Sequence, residues 1–123
     1  MRCPCRKVSE TRTYAECCGR FHTGLAAPSA ELLMRSRYSA YALKNAKYLA
    51  DTWHPSTRPA RIDFAPAEAW VQLRILKSQQ TGDSATVELI ARSRIGGRTH
   101  ALHETSRFVR EDGRWFYIDG IIA

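Results

Sequence analysis

The sequence predicts an α+β protein in which helices pack on one face of a curled antiparallel sheet, preceded by an irregular cysteine-containing segment. Two observations carry this prediction. Between residues 30 and 52, apolar side chains recur at three- and four-residue steps, as on an amphipathic helix. From residue 73 onward, runs rich in β-branched and aromatic residues alternate with turn sequences. Helices that precede such a meander, rather than separating its strands, indicate the α+β class.

The helical half begins after Ser29, whose hydroxyl is suited to accept a hydrogen bond from a free N–H of the first turn. The spacing predicts one helix over 30–44, a break at Asn45 and a short second helix over 46–52. His54 precedes a proline, and a residue in that position disfavours the helical conformation. We therefore expect the second helix to end there.

Pro66 begins the stretch 66–70, which predicts a third helical segment because proline is tolerated in a first turn. Beyond it we expect four strands, over 73–79, 85–95, 99–110 and 114–121. The sequences between the strands are Thr-Gly-Asp, Gly-Gly and Glu-Asp-Gly. Glycine in such positions is typical of tight hairpin turns.

Composition narrows the class of protein. The chain has 123 residues, enough for one core and a small appendage, and its net charge is +7. No apolar run approaches the ~20 residues that span a bilayer, and no hydrophobic stretch follows the basic N-terminus. We therefore expect a cytoplasmic protein with neither a membrane span nor a secretory signal. The positive charge favours anionic partners, although its scatter along the chain is typical of a solvated basic surface.

All four cysteines lie in the first 24 residues, as the pairs Cys3/Cys5 and Cys17/Cys18. In a reducing compartment, clustered thiols serve more often as metal ligands or redox groups than as disulfides. Two closely spaced pairs can supply the four ligands of a tetrahedral zinc ion, with His22 as an alternative fourth ligand. A redox pair at Cys17 and Cys18, or simply free thiols, are the other interpretations.

Two N-terminal stretches, Cys3-Pro4-Cys5 and YAECCG at 14–19, resemble the SEC-C motif, the small zinc module at the C-terminus of the SecA translocation ATPase. The chain as a whole is more similar to the YchJ-like family of uncharacterised bacterial proteins. The stretches that carry this resemblance are FHTG at 21–24, LMRSRYSAY at 33–41, TWHP at 52–55, HETSRF at 103–108 and GRWFYIDG at 113–120.

The resemblance implies a SEC-C zinc knuckle over 1–24 and a cystatin-like α+β domain over 25–123, the fold of nuclear transport factor 2 and ketosteroid isomerase. It also implies a zinc site with four thiolate ligands, which leaves no position open for water and is therefore structural. These ligands would be Cys3, Cys5, Cys17 and Cys18.

The sequence departs from the SEC-C motif between its cysteine pairs. The connection is longer than the usual one and lacks the glycine-rich turn. Because the entropy of closing a loop depends only weakly on its length, we expect zinc to be retained. We expect the stretch 6–13 to form a distorted or mobile loop.

A curled sheet with helices across it can enclose a cone-shaped cavity that binds a small ligand. Alternation places Trp115 and Asp119 on one face of the last strand, but apolar residues on both faces leave the inward face undecided. If Glu104 points inward, with Asp119 nearby, it becomes a candidate general base in an apolar setting. Tyr38, Trp53 and Trp115 are further pocket candidates, although aromatic residues more often belong to a core.

The alternative role for Glu104 is purely structural. An arginine such as Arg37 or Arg107 could pair with it and hold the strand to a helix, and such ion-pair networks are common. This interpretation predicts no catalytic residues at all.

Three functions compete at this stage. The first is a non-enzymatic adaptor that uses the basic knuckle to contact an acidic protein or a ribosome-associated partner. The second is small-molecule binding or enzymatic activity in the cone, with Glu104 or Asp119 as acid or base. The third and weakest is nucleic-acid binding, for which the sequence contains no recognised motif. We favour the adaptor because the four-cysteine cluster, the basic residues interleaved with it and the SEC-C resemblance support it. The fold does not decide between the functions, since a fold of this kind hosts enzymes and inert scaffolds alike.

Overall fold

Three helices and a four-stranded antiparallel sheet make up the computed structural model, which describes residues 1–6 and 11–123. The strands lie side by side in the order β1-β2-β3-β4. The α+β class and the meander of four strands are confirmed. In chain order the elements are α1 (Cys18–His22), α2 (Ala30–Ala42), α3 (Ala46–Asp51), β1 (Ala69–Thr81), β2 (Ser84–Ile95), β3 (Arg98–Glu111) and β4 (Arg114–Ile122).

Helix α2 begins where the serine predicts. The Ser29 hydroxyl accepts a hydrogen bond from the Leu32 N–H at 3.1 Å. The helix ends at Ala42, short of the predicted residue 44, because Lys44 adopts a left-handed backbone conformation with φ 58°. The side chain of Asn45 then caps α3. The break at Asn45 and the second helix are thus confirmed.

The predicted helix at 66–70 is wrong. Residues 66–67 form a turn, and β1 already begins at Ala69. Trp70 pairs with Ser93 of β2, and its ring meets that of Tyr38 edge-on at a centroid distance of 6.0 Å. Strand pairing and aromatic burial, both of them long-range, outweigh the local preference of proline for a first turn.

One irregularity decides which side chains of β4 reach the inner face of the sheet. The cross-strand pair Phe108↔Tyr117 is followed by Arg107↔Asp119, which leaves Ile118 as an extra residue in β4. This bulge reverses the alternation. Tyr117 and Asp119 therefore lie on opposite faces, and the predicted shared face of Asp119 and Trp115 is wrong.

The helices cover one face of the sheet. Along β2 every second residue from Ala85 to Ser93 is buried, and the residues between them are only partly buried. Helix α2 packs on this inner face against β1, β2 and β4, and it also contacts α1 and α3. The inner face is therefore the one that carries Ala85 and Ser93.

The N-terminal segment packs into the same core. Its four cysteines are 0–1% exposed and form one apolar cluster with four residues of the helix and sheet. The division into 1–24 and 25–123 stays a prediction, but the described residues of both parts share this cluster. The segment that we expect to be irregular contains the short helix α1, so that expectation is corrected there. The four residues that meet the cysteines are Tyr38, Leu73, Leu89 and Ala91.

The long connection between the cysteine pairs is described at its two ends. Thr13 forms an isolated antiparallel bridge with Arg2. Residues 7–10 belong to the stretch for which we expect a distorted or mobile loop, and they lie outside the described residues. Among the helices that the structure describes, none is long and apolar enough to cross a membrane.

Candidate functional site

Two short N-terminal stretches pair and bring the first cysteines next to the second pair. The Cys3 N–H donates to the Arg12 carbonyl at 3.1 Å, beside the bridge between Arg2 and Thr13. The Arg6 N–H donates to the Cys3 carbonyl at 3.1 Å and closes a tight turn. This turn places the Cys3 and Cys5 sulfurs 3.7 Å apart.

The adjacent cysteines differ in backbone conformation. Cys17 precedes α1 with φ −116° and ψ −109°, whereas Cys18 is the first residue of the helix. Side chains of adjacent residues diverge in regular secondary structure. The change of backbone conformation between Cys17 and Cys18 lets both of their sulfurs approach the Cys5 sulfur instead. Gly19 allows the close packing behind them, because a Cβ there would lie 2.8 Å from the Tyr14 carbonyl oxygen.

The sulfur positions match a tetrahedral metal site. The Cys5 sulfur lies 3.7 Å from those of Cys3 and Cys17 and 3.6 Å from that of Cys18. All four sulfurs lie within 4.8 Å of one another. A tetrahedron with Zn–S bonds of ~2.3 Å has edges of about 3.8 Å. The four cysteines could therefore hold a metal ion with little movement.

The opposed pKa shifts of the clustered cysteines favour a bound cation. Hydrogen bonding to the Cys18 and Cys5 thiols lowers the pKa of Cys3, whereas hydrogen bonding to the Cys3 and Cys5 sulfurs raises the pKa of Cys18. These opposite shifts mean that charge on one sulfur discourages ionisation of the next. A central cation removes this conflict. The Arg6 Nε also donates to the Cys17 sulfur at 3.3 Å.

His22 is engaged elsewhere. Its Nε2 lies 2.8 Å from the Ser36 carbonyl and its Nδ1 lies 2.6 Å from the Tyr14 hydroxyl. Burial lowers the pKa of His22, which keeps the ring neutral, with Nε2–H donating to Ser36. Because both ring nitrogens have partners, the group that could hold a metal ion consists of the four cysteines, without His22.

The cysteine cluster is attached to helix α2 by polar contacts. The Cys3 sulfur lies 3.5 Å from the Ser39 hydroxyl. The Arg35 Nη1 donates to the Cys5 carbonyl at 3.1 Å. Together with the bond between His22 and Ser36, these contacts fix the N-terminal segment on the side of α2.

A second candidate site lies between α2 and the inner face of the sheet, as a cavity of about 230 Å³. Of the predicted pocket residues, the structure brings Glu104 and Tyr38 together in its wall. Trp53 packs behind it against Tyr117, and Trp115 lines a different groove of about 260 Å³ beside Phe21.

The bulge removes Asp119 from this cavity. Its carboxylate forms two hydrogen bonds of 2.6 Å with the Arg107 guanidinium on the outer face of the sheet. This pairing lowers the pKa of Asp119. Glu104 does not pair with either of the arginines considered for it. Its Oε2 instead accepts from the Ser106 hydroxyl at 2.6 Å and from the Tyr117 hydroxyl at 3.4 Å.

Arg37 is the residue at this site that sequence reasoning underestimated. Its side chain is only 2% exposed and lines the cavity. Its Nη1 donates to the Leu49 carbonyl at 2.9 Å and to the Thr52 hydroxyl at 2.7 Å. The guanidinium lies 5.0 and 4.5 Å from the ring centroids of Trp53 and Tyr117. In the sequence, Arg37 stands within the apolar stripe of α2, and this position could have indicated that the side chain is buried.

Comparison with protein families places most of this chain in one of them. The family model described as "YchJ, middle NTF2-like domain" matches residues 29–120. A UPF0225 protein of Bordetella pertussis is 53% identical over 125 residues, covering 98% of this chain and 92% of the relative. A UPF0225 protein of Methylibium petroleiphilum is 52% identical, and the match covers 98% of this chain and 88% of the relative.

Two solved structures share the fold along essentially the whole chain. The solution structure of a SEC-C motif containing protein from Rhodopseudomonas palustris has a TM-score of 0.86 and 37% identity, covering 100% of this chain and 99% of its own. The crystal structure of a SEC-C motif containing protein from Psychrobacter arcticus has a TM-score of 0.81 and 27% identity. That match covers 98% of this chain and 82% of the other. Both matches include the cysteine segment.

Proposed function

This chain belongs to the family of the YchJ middle NTF2-like domain, and from that premise we propose that it is a non-enzymatic binding module held together by a structural zinc ion. Cys3, Cys5, Cys17 and Cys18 would be the ligands. The observation that carries the proposal is the buried set of four sulfurs, three pairs of which are spaced by 3.6–3.7 Å. The SEC-C motif in the two structural relatives supports it.

The chemistry of the site supports zinc in a structural role. Four thiolates are soft ligands that suit a tetrahedral d¹⁰ ion, and a full set of protein ligands leaves no position for water. The cluster carries excess negative charge when loaded, which the Arg6 guanidinium near Cys17 offsets. With no open position, the metal would fix the N-terminal segment on α2 and take no part in a reaction.

Metal analysis of paired variants tests this assignment. Protein purified under reducing conditions from zinc-supplemented growth should contain one zinc ion per chain, and Cys18→Ser should contain far less. His22→Gln is the matched control and should keep its zinc, because that ring bonds to Ser36 and Tyr14. Zinc that survives in Cys18→Ser but is lost in His22→Gln would overturn the ligand set.

The binding surface that we propose is the basic exterior of the zinc-held segment. Arg2 and Arg12 are exposed there, and Arg20 lies half-buried over the ring of Phe21. The chain carries a net charge of +7, so an acidic protein surface is the complementary partner. Because the metal positions these arginines, binding should depend on zinc as well as on salt.

A labelled polyglutamate peptide provides a defined acidic probe. Its binding should weaken at high salt, on chelation of zinc, and in the double variant Arg2→Glu/Arg12→Glu. The matched control is Arg74→Glu/Arg94→Glu, which reverses the charge of two exposed arginines of the sheet. It should bind the peptide more tightly than Arg2→Glu/Arg12→Glu does. Equal loss in both variants, or much tighter binding to a single-stranded oligonucleotide of equal charge, would contradict an acidic-protein site on the knuckle.

A further inference from the structure

The cavity between α2 and the sheet has a composition suited to a ligand. Most of its wall is apolar, and one end carries the polar groups. The apolar wall comprises Met34, Trp70, Leu89, Ala91 and Leu102. The polar end is formed by Arg37, Glu104, Ser106 and Tyr117, with Tyr38 and Tyr41 beside them.

Glu104 presents one defined acceptor to this cavity. Hydroxyl groups of Ser106 and Tyr117 both donate to its Oε2. A Cβ at Gly120, the cross-strand neighbour of Ser106, would collide with the carboxylate, so the glycine makes room for it. Among the residues that the structure describes, none donates a hydrogen bond to Oε1. This oxygen is therefore the acceptor available to a bound molecule.

Arg37 balances the charge of that carboxylate. The guanidinium is 2% exposed, and burial lowers the pKa of Arg37, whereas the charge of Glu104 acts in the opposite direction. One positive and one negative group line the cavity. Because their charges offset each other, the cavity has no net charge that would attract an ion of either sign. The cavity consequently favours a neutral molecule.

Tyr38 contributes aromatic surface to the wall of the cavity. Its side chain is 3% exposed and lines the cavity. Its hydroxyl oxygen is enclosed by the protein, without a hydrogen-bond partner among the described residues, and so does not face the open volume. Glu104 therefore supplies the hydrogen-bonding contact, and Tyr38 supplies its ring.

We propose that this cavity binds a neutral, largely aromatic molecule that donates an N–H or O–H to Glu104. A cavity of about 150 Å³ holds benzene, so one of this size suits a bicyclic molecule of about nine or ten heavy atoms. Tyr38 and Trp70, whose rings meet edge-on, both line the cavity and offer aromatic surface to such a ring system. This site is separate from the cysteine cluster and does not rest on the proposed binding of acidic proteins.

Two bicyclic probes of equal size test the proposal with the native protein. Indole has an N–H donor, and benzofuran has an ether oxygen in its place. Titration followed by calorimetry and by amide chemical shifts should rank indole above benzofuran. A hydrogen bond to a carboxylate predicts that indole binds about tenfold more tightly than benzofuran. Equal binding of the two probes, or no binding of either, would overturn the proposal.

Variants assign the polar contact to Glu104. In Glu104→Gln, the hydroxyl groups of Ser106 and Tyr117 donate to the amide oxygen, so the NH₂ group faces the cavity and indole should lose its advantage over benzofuran. Asp119→Asn is the matched carboxylate control on the outer face and should preserve the ranking. A ranking that is unchanged in a folded Glu104→Gln protein, checked by circular dichroism, would contradict the assignment.

Discussion

Arg37 illustrates how a single residue can be strongly constrained without an ion pair. Among the described residues, no carboxylate forms a salt bridge with it, and its charge is stabilised by a backbone carbonyl, a hydroxyl and two aromatic rings. Burial nevertheless lowers the pKa of Arg37, which reflects the cost of removing it from water. The planar shape of the guanidinium is what allows stacking and hydrogen bonding together.

A conservative substitution at this position should therefore be costly. Arg37→Lys keeps the charge but loses the stacked plane and buries a more strongly hydrated ammonium group. We expect the free energy of unfolding to fall by about 2 kcal/mol, measured by urea denaturation. Arg74→Lys, at an exposed position of β1, is the control and should change the free energy of unfolding by less than about 0.5 kcal/mol. Equal stability of both variants would argue against this role of Arg37.

At the scale of elements, local signals in the sequence located the start of α2 well and the side-chain faces of β4 poorly. The serine cap is a contact within one turn, so its residue type alone predicts it. The bulge at Ile118 depends on the pairing of β4 with β3, and no residue in β4 signals it by itself. Alternation along the chain therefore placed Asp119 on the face of Trp115, where the paired strands do not put it.

The cap of α2 makes a direct stability prediction. Ser29→Ala removes the acceptor for the Leu32 N–H and should lower the free energy of unfolding by about 1 kcal/mol. Ser29→Asp retains an acceptor and adds a negative charge at the positive end of the helix dipole, so it should be at least as stable as the native protein. Thermal and urea unfolding of the three proteins provide the comparison, and an unaffected Ser29→Ala variant would count against the cap.

At the scale of the whole molecule, the cysteine cluster and the cavity share structural residues. Tyr38, Leu89 and Ala91 belong to one apolar cluster with the buried cysteines and also line the cavity. The N-terminal segment thus packs with residues that shape the cavity. We infer that the state of the four thiols influences the stability of the sheet, although the sequence suggests a separate knuckle.

Removing the zinc ion that we propose should accordingly destabilise the sheet as well as the N-terminus. Under reducing conditions, a chelator should lower the melting temperature by about 10 °C or more. Amide hydrogen exchange at Leu89 and Ala91 should accelerate, and chelator saturated with zinc serves as the control. If exchange accelerated only in residues 1–24, the knuckle would be an independent unit, contrary to the shared core.

Residues close together in the chain specify the α+β class, the four hairpin-linked strands, the cap of α2 and the grouping of the four cysteines, so these features could be predicted from the sequence. Contacts between distant segments place Trp70 in a strand, turn Asp119 away from Glu104, and engage His22 with Ser36 and Tyr14. They also place the Glu104 carboxylate in the cavity wall, where Ser106 and Tyr117 donate to one of its oxygens. These features arise from strand register and from packing between distant segments, and such long-range interactions determine which polar groups are left facing the cavity.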